Sequence, residues 1–271
     1  MMETGTVVLS EDAAPGVGLL VFRSPEIARE YRPGSFVHLK SGDDTTILRR
    51  PFSIARVRGH DVVLLYRIIG VGTEWMRARR PGDELEMMGP LGTVFRLRQN
   101  AARTLFVGGG LGMAPLLGLA EALHEAGVAG EMEAVLGIRS QGDVFGAALT
   151  EGGVELDWQL ATDDGSAGFH GNAAQLLESR LDALAADGVD PATIAIYSAG
   201  PEPMLEAVAR ICEPRGLDLQ VSMEAHMACG VGACRACGIV PWKDESRIYG
   251  RVCKEGPVFD ASEILWDEVV A

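Results

Sequence analysis

Four of the five cysteines crowd into the last fifth of the chain: Cys229, Cys234, Cys237 and Cys253. The first three are spaced x4 and x2, and fifteen residues separate the third from the fourth. An x4/x2 pair followed by a fourth cysteine is the plant-type arrangement for a 2Fe–2S cluster. Four thiolates balance two irons. Gly230, Gly232 and Ala233 lack bulk, so the backbone between the ligands can approach the cluster and point N–H groups at sulfur. The alternative is a structural zinc site, but zinc favours two C-x2-C knuckles and this sequence has one. The opening residues MMETGTVVLS hold no basic stretch followed by an apolar run, so no signal peptide is expected. Without an export signal, clustered cysteines argue for metal rather than disulfides. Cys212 stands apart in a helical stretch and is expected to be a buried small hydrophobe.

Two glycine turns offer a second chemistry. Leu105-Phe-Val-Gly-Gly-Gly-Leu-Gly-Met-Ala-Pro115 reads as a strand, a glycine turn and a helix with proline near its start. Glycines let a backbone touch a pyrophosphate, and a helix N-terminus favours its charge. The strict G-x-G-x-x-G fingerprint is not met, since Met113 stands at the third position. Ala199-Gly200-Pro201 is a second turn at a strand's carboxyl end, where such sheets bind ligands. Arg49-Arg50-Pro51-Phe52-Ser53 combines a phosphate-pairing arginine, an aromatic that can pack on a ring system and a hydroxyl. Taken alone, it also fits an ordinary edge strand begun by proline.

The elements that must position these residues change rhythm near residue 100. Before it, Val17–Phe22, Ser35–Leu39, Pro51–Ala55 and Val62–Ile68 are strand-like. Pro33-Gly34, Pro81-Gly82 and Gly89-Pro90 punctuate them, and one short helix is expected near Thr73, with Thr73 as its cap. That pattern predicts a small antiparallel barrel. After residue 102, apolar runs at 104–107, 134–138, 156–161 and 194–198 alternate with helical stretches at 114–126, 171–186 and 202–215, which predicts a doubly wound parallel sheet. The expected division is a barrel at 1–99, an α/β domain at 100–221 and a small metal-stabilised tail at 222–271.

With 47% hydrophobic residues the chain can bury a core, and 23% charged residues excludes a disordered composition. A net charge of −14 argues against nucleic acid and against an anionic membrane surface as partners. The uncharged run from Thr104 to Ala120 is interrupted by Gly108, Gly109, Gly110, Gly112, Pro115 and Gly118, so a strand–turn–helix explains it better than a membrane span. A cytosolic protein is expected.

In order, Arg50-Pro-Phe-Ser53, Gly70-Val-Gly-Thr73, Gly89-Pro-Leu-Gly92, Gly108–Pro115, Ala199-Gly-Pro201 and the cysteine tail resemble the ferredoxin–NADP reductase superfamily. Within it, the chain is similar to the electron-transfer subunits of class 1B dihydroorotate dehydrogenases, and the likeness covers essentially the whole sequence. Its most specific part is Met227-Ala-Cys-Gly-Val-Gly-Ala-Cys-Arg-Ala-Cys237 with Arg251-Val-Cys-Lys-Glu-Gly-Pro257. The short gap before Cys253 separates it from oxygenase reductases, whose last cysteine usually lies farther on.

The resemblance implies FAD, a 2Fe–2S cluster and NAD as cofactors. It would place the flavin on Arg50, Pro51, Phe52, Ser53, Tyr66, Arg67 and Ile68, with its pyrophosphate at Gly72 and Thr73. It would place the nicotinamide dinucleotide on Gly109, Gly110, Leu111, Gly112, Gly200 and Pro201, with Thr162, Asp163 and Asp164 near the adenosine half. The cluster ligands would be Cys229, Cys234, Cys237 and Cys253. Many relatives carry cysteine where Ala199 stands, so a thiol helper in hydride transfer is absent there. Arg139 could meet a 2′-phosphate, although the likeness points to NADH.

The implied partner is an FMN-containing dihydroorotate dehydrogenase catalytic subunit in a heterotetramer. Rival readings are an electron-transfer subunit of sulfide dehydrogenase or of an NADH-dependent ferredoxin–NADP oxidoreductase, and an iron–sulfur or flavin redox sensor. Glu224 is a candidate polar group near the flavin, and His226 reads as structural. The apolar tail residues Ile239–Trp242, Val258, Phe259 and Ile264–Trp266 suggest a docking surface, with the tryptophans at its centre.

Overall fold

The computed structural model describes residues 1–42, 46–128, 130–143 and 154–269. The first half is one antiparallel sheet of β1 (Met2–Ala14), β2 (Val17–Arg23), β3 (Phe36–Leu39), β4 (Arg50–Ser53), β5 (Arg56–Arg58), β6 (Asp61–Arg67) and β7 (Glu84–Leu91), with helices α1 (Pro25–Glu30) and α2 (Val71–Arg77). The strand order is β4-β3-β7-β1-β2-β6-β5. Only Ile54 and Ala55 separate β4 from β5, yet these strands lie at opposite ends of that order. The sheet must therefore curl until its ends meet, which makes it a barrel. Alternate residues turn inward: Val37 and Leu39 of β3 and Leu85 and Met87 of β7 join Leu20, Phe22, Ile54 and Leu64 in its core.

Three features depart from the expectation. The N-terminus is a 13-residue strand. Gly89-Pro90 lies inside β7 rather than at a break. Helix α2 begins after Gly70, and Thr73 sits in its first turn, where Thr73 Oγ1 accepts from the Ile69 and Gly70 N–H groups at 3.0 and 3.1 Å. Thr73 therefore caps backwards, from inside the helix.

The second half contains β8 (Arg103–Gly109), β9 (Glu131–Ile138), β10 (Asp157–Thr162), β11 (Phe169–His170), β12 (Ile194–Ala199) and β13 (Asp218–Ser222), with helices α3 (Met113–Glu125), α4 (Ala173–Ala186) and α5 (Glu202–Cys212). The tail adds the hairpin β14 (Gly238–Val240) and β15 (Gly250–Arg251), then β16 (Val258–Asp260). The second sheet runs β11-β10-β9-β8-β12-β13-β16, parallel throughout except for β16 against β13. Its central strands β8 and β12 are almost fully buried, as expected where helices cover both faces. The order reverses at β8, so the crevice between the ends of β8 and β12 is the topological switch point. No described helix is long and apolar enough to cross a membrane.

A candidate flavin, dinucleotide and cluster site

A single cleft of about 1440 Å³ opens where the barrel, the switch point and the tail meet. Arg50, Pro51, Phe52 and Ser53 form one wall, with Tyr66, Arg67, Gly72 and Thr73 beside them. Phe52 and Tyr66 meet edge to face, their centroids 6.0 Å apart. Arg50 Nη1 donates to the Ser41 carbonyl at 2.8 Å and to Ser41 Oγ at 3.1 Å. A Cβ on Gly72 would stand 2.6 Å from Arg50 Cζ. The guanidinium can lie there only because residue 72 has no side chain, and it stands beside the opening turn of α2. A cation beside open backbone suits a pyrophosphate. Burial pushes the Tyr66 phenol up to about 12.

The opposite wall is the switch point. Gly109, Gly110, Leu111 and Gly112 line it, and Gly110 has φ +54°. Pro201 and Ala199 face it from the end of β12. The two turns pack backbone on backbone: a Cβ on Gly112 would stand 2.2 Å from the Ala199 carbonyl oxygen, and one on Gly109 2.7 Å from Pro201 Cδ. Gly200 supports this contact from behind, with its missing Cβ 3.0 Å from the Gly109 nitrogen.

The remaining sequence-derived residues separate into those that face the cleft and those that do not. Asp163 and Arg139 line it, joined by Asp143, which the sequence reading missed. Asp143 holds the turn after β9 by accepting from the Ser140 N–H and Oγ at 3.2 and 3.1 Å. Thr162, Asp164, Ile68 and Gly200 do not line the cleft. Thr162 is fully buried and bonds both backbone groups of Ala167. Asp164 accepts from the Ser166 N–H and Oγ, and the Ser166 hydroxyl holds its carboxyl below the usual range. Ile68 packs on the barrel core. Ser222, Met223, Glu224, Ala225, His226 and Met227 complete the cleft, so His226 faces open space rather than the core. Crowding by protein around the cleft raises the Glu224 carboxyl above its ordinary value, although solvent reaches it through the opening.

The tail brings the four cysteines together as two pairs. Cys237 Sγ and Cys253 Sγ are 3.2 Å apart, and the Cys229 thiol is in contact with Cys234. Among the described residues no three Cys, His, Asp or Glu converge on one point as a single metal ion would require. Two pairs suit two irons, each taking two thiolates. Backbone donors already aim at sulfur: Gly232 N–H on Cys253 at 3.1 Å, Cys234 N–H on Cys229 at 3.4 Å and Cys253 N–H on Cys237 at 3.5 Å. The Cys234 N–H, helped by those of Val231 and Ala233, pulls the Cys229 thiol down to about 6. Burial, with Cys237 alongside, pushes Cys253 up to about 12. Cys253 would become a thiolate once a cation supplied the compensating charge. Arg251 braces the loop, donating to the Gly232 carbonyl at 2.6 Å while held by Glu255.

Two further expectations meet the structure here. Cys212 is 1% exposed on α5, and burial raises its thiol to about 12, as a packing residue requires. The tryptophans are not a docking surface. Trp242 and Trp266 are 7% and 8% exposed and pack into the chain's own core; Trp266 Nε1 donates to the Ala261 carbonyl, and Trp242 meets Phe259 edge to face. Tail residues too few to build a core of their own bury their apolar side chains on the larger sheet. The exposed apolar residues of the tail are instead Val231, Ile248 and Tyr249.

An antiparallel barrel, a doubly wound sheet and a thiolate tail around one cleft define an iron–sulfur flavin reductase of the ferredoxin-reductase type. The family model described as "Iron-sulfur cluster binding domain of dihydroorotate dehydrogenase B" matches residues 224–265. The dihydroorotate dehydrogenase B (NAD(+)) electron transfer subunit of Desulforamulus reducens is 34% identical over 261 residues, with 94% of both chains covered. That of Streptococcus pneumoniae is 36% identical, over 97% of this chain and 98% of its own. The chain therefore belongs to the family of dihydroorotate dehydrogenase B electron-transfer subunits. Among solved structures, an NADH-dependent reduced ferredoxin–NADP oxidoreductase aligns with TM-score 0.79 at 26% identity, over 98% of this chain and 91% of its own. A ferredoxin NADP+ reductase from Neisseria gonorrhoeae with bound FAD and NADP shares the fold at 14% identity and TM-score 0.65, over 79% of this chain and 92% of its own.

Proposed function

We propose that this chain carries electrons between a dihydroorotate-oxidising FMN subunit and NAD+, by way of a 2Fe–2S cluster and FAD. The observation that carries the reading is the shared cleft. The flavin-strand residues Phe52 and Ser53, the dinucleotide turn Gly109–Gly112 and the tail residues Ala236 and Ile239 all line it, and Cys237 lies between the last two in sequence. Hydride transfer moves two electrons and a 2Fe–2S cluster one, and a flavin exchanges both, so the order nicotinamide, flavin, cluster follows from the chemistry.

In this reading Arg50 and the Gly72–Thr73 turn hold the flavin pyrophosphate, and Pro51, Phe52, Ser53, Tyr66 and Arg67 flank the ring system. The glycine turns with Pro201 take the nicotinamide dinucleotide. Asp163 and Asp143 face its ribose hydroxyls, which favours NAD over a 2′-phosphorylated cofactor. Cys229, Cys234, Cys237 and Cys253 hold the cluster. Residues 1–99, 100–221 and 222–271 act as flavin, nicotinamide and cluster domains of a cytoplasmic subunit, which pairs with the catalytic subunit in a heterotetramer.

The test is reconstitution. Mixed with a dihydroorotate-oxidising flavoprotein subunit, the chain should support NAD+ reduction that neither protein sustains alone. Failure with that partner, alongside NADH-driven reduction of ferredoxin or NADP+, would favour the second reading, an NADH-dependent ferredoxin–NADP oxidoreductase subunit. That reading is supported by the likeness to such a structure over 98% of the chain.

A further inference from the structure

Strand β3 alternates. Val37 and Leu39 enter the barrel core, so His38 between them points to the other face. There it is fully buried, with the cluster loop lying against it. A Cβ on Gly230 would stand 2.5 Å from His38 Nδ1 and 3.0 Å from its Cγ, and Gly230 has φ +67°. The ring faces the backbone carbonyls of Cys229 and Arg49 and interacts with both, although neither contact has full hydrogen-bond geometry. In β-sheet register His38 stands opposite Pro51, within the Arg50–Ser53 flavin strand.

An unpaired buried polar group costs about 1–3 kcal/mol, and an apolar side chain would fill the same space without that cost. A histidine here is explained if its N–H serves the loop. We propose that His38 is a positioning residue for electron transfer: its imidazole N–H fixes the peptide between Cys229 and Gly230, and so sets the cluster loop against the flavin strand. It does so from a strand that touches both. The proposal rests on the cofactor reading above. Glycine at 230 is then required twice, for its left-handed backbone and for the ring lying against it.

The test compares His38→Phe, which keeps a ring and removes both nitrogens, with His38→Gln, which restores a side-chain N–H. Each is measured in the full chain loaded with FAD and cluster. In His38→Phe, NADH should reduce the flavin at the wild-type rate. Electron passage from flavin to cluster should slow about tenfold or more, as for other hydrogen-bond partners that orient metal ligands, and the EPR line shape of the reduced cluster should change. His38→Gln should recover both. A cluster retained in His38→Gln and lost in His38→Phe would also support the role. Wild-type EPR and transfer rate in His38→Phe would overturn it, as would equal impairment or equal cluster loss in both variants, because shape alone would then be the requirement. Wild-type protein with no 2Fe–2S signal would overturn the cofactor reading itself, and this proposal with it.

Discussion

Gly112→Ala tests the dinucleotide wall most sharply. The added Cβ would meet the Ala199 carbonyl oxygen at 2.2 Å, the Ala199 carbonyl carbon at 2.5 Å and the Gly200 Cα at 2.6 Å. All three are backbone atoms, and carbon contacts settle near ~3.5 Å, so the two turns must part by roughly 1 Å. Overpacking of this kind costs about 2 kcal/mol, which lowers Tm by about 4–8 °C in a chain of this size. The displaced turns are those proposed to hold the nicotinamide dinucleotide. A misplacement of roughly 1 Å can cost ~100-fold, so kcat/KM for NADH should fall at least about tenfold.

Gly127→Ala is the control. Gly127 has φ +71° with nothing within 4 Å of its missing Cβ, so alanine there is strained but meets no neighbour and lies off the cleft. It should lose about 1 kcal/mol and keep wild-type NADH kinetics. The assay is thermal melting alongside NADH oxidation with an artificial electron acceptor. Gly112→Ala matching Gly127→Ala in NADH kinetics would refute the assignment of this turn.

Further outcomes follow from the same structure. Arg50→Ala removes a charge-assisted contact worth about 1.5–3 kcal/mol, so FAD affinity measured by fluorescence titration should weaken roughly 10–100-fold. Cys212→Ser should leave iron and acid-labile sulfide contents unchanged, whereas Cys253→Ser should lose the cluster. Glu121→Gln removes the carboxylate 3.1 Å from buried Arg56 at the seam between β5 and α3, and should cost about 3 kcal/mol by urea denaturation. The apolar pair Arg56→Met with Glu121→Leu should regain most of that loss. Burial raises the phenols of Tyr31 and Tyr197, and Tyr66 to about 12. A phenol raised on folding contributes stability that is complete below its ordinary value near 10 and lost as pH rises through about 12. Denaturation midpoints should fall across that window, and Tyr66→Phe should flatten the fall.

Local patterns carried much of this into the sequence. The x4/x2 spacing marked the cysteines, and strand–glycine–helix punctuation marked the switch-point turn, because both are set by neighbours in the chain. Helix α1 is legible too, since Ser24-Pro25-Glu26 is a helix start. Thr73 was misplaced because a hydroxyl in the first turn can reach back to the same N–H groups that a preceding cap would accept. Other features were set by packing at long range. The tryptophans look like interface residues in a short apolar tail until β16 is seen pairing with β13 and the tail folding onto that sheet. His38 reads as one polar residue in a four-residue strand, and only the tail, some 190 residues on, gives it meaning. Within Thr162-Asp-Asp-Gly165, sequence does not say which side chain turns outward; hydrogen bonds to Ala167 and Ser166 occupy Thr162 and Asp164, and Asp163 is left facing the cleft.

Electrons cross this chain between nicotinamide and cluster through the flavin. An anaerobic NADH titration of the purified protein, with and without bound FAD, tests it directly by EPR. A reduced 2Fe–2S signal should grow with NADH in the FAD-loaded protein and be absent when FAD has been removed. A cluster that NADH reduces equally well without FAD, or a chain holding zinc and no acid-labile sulfide, would contradict it.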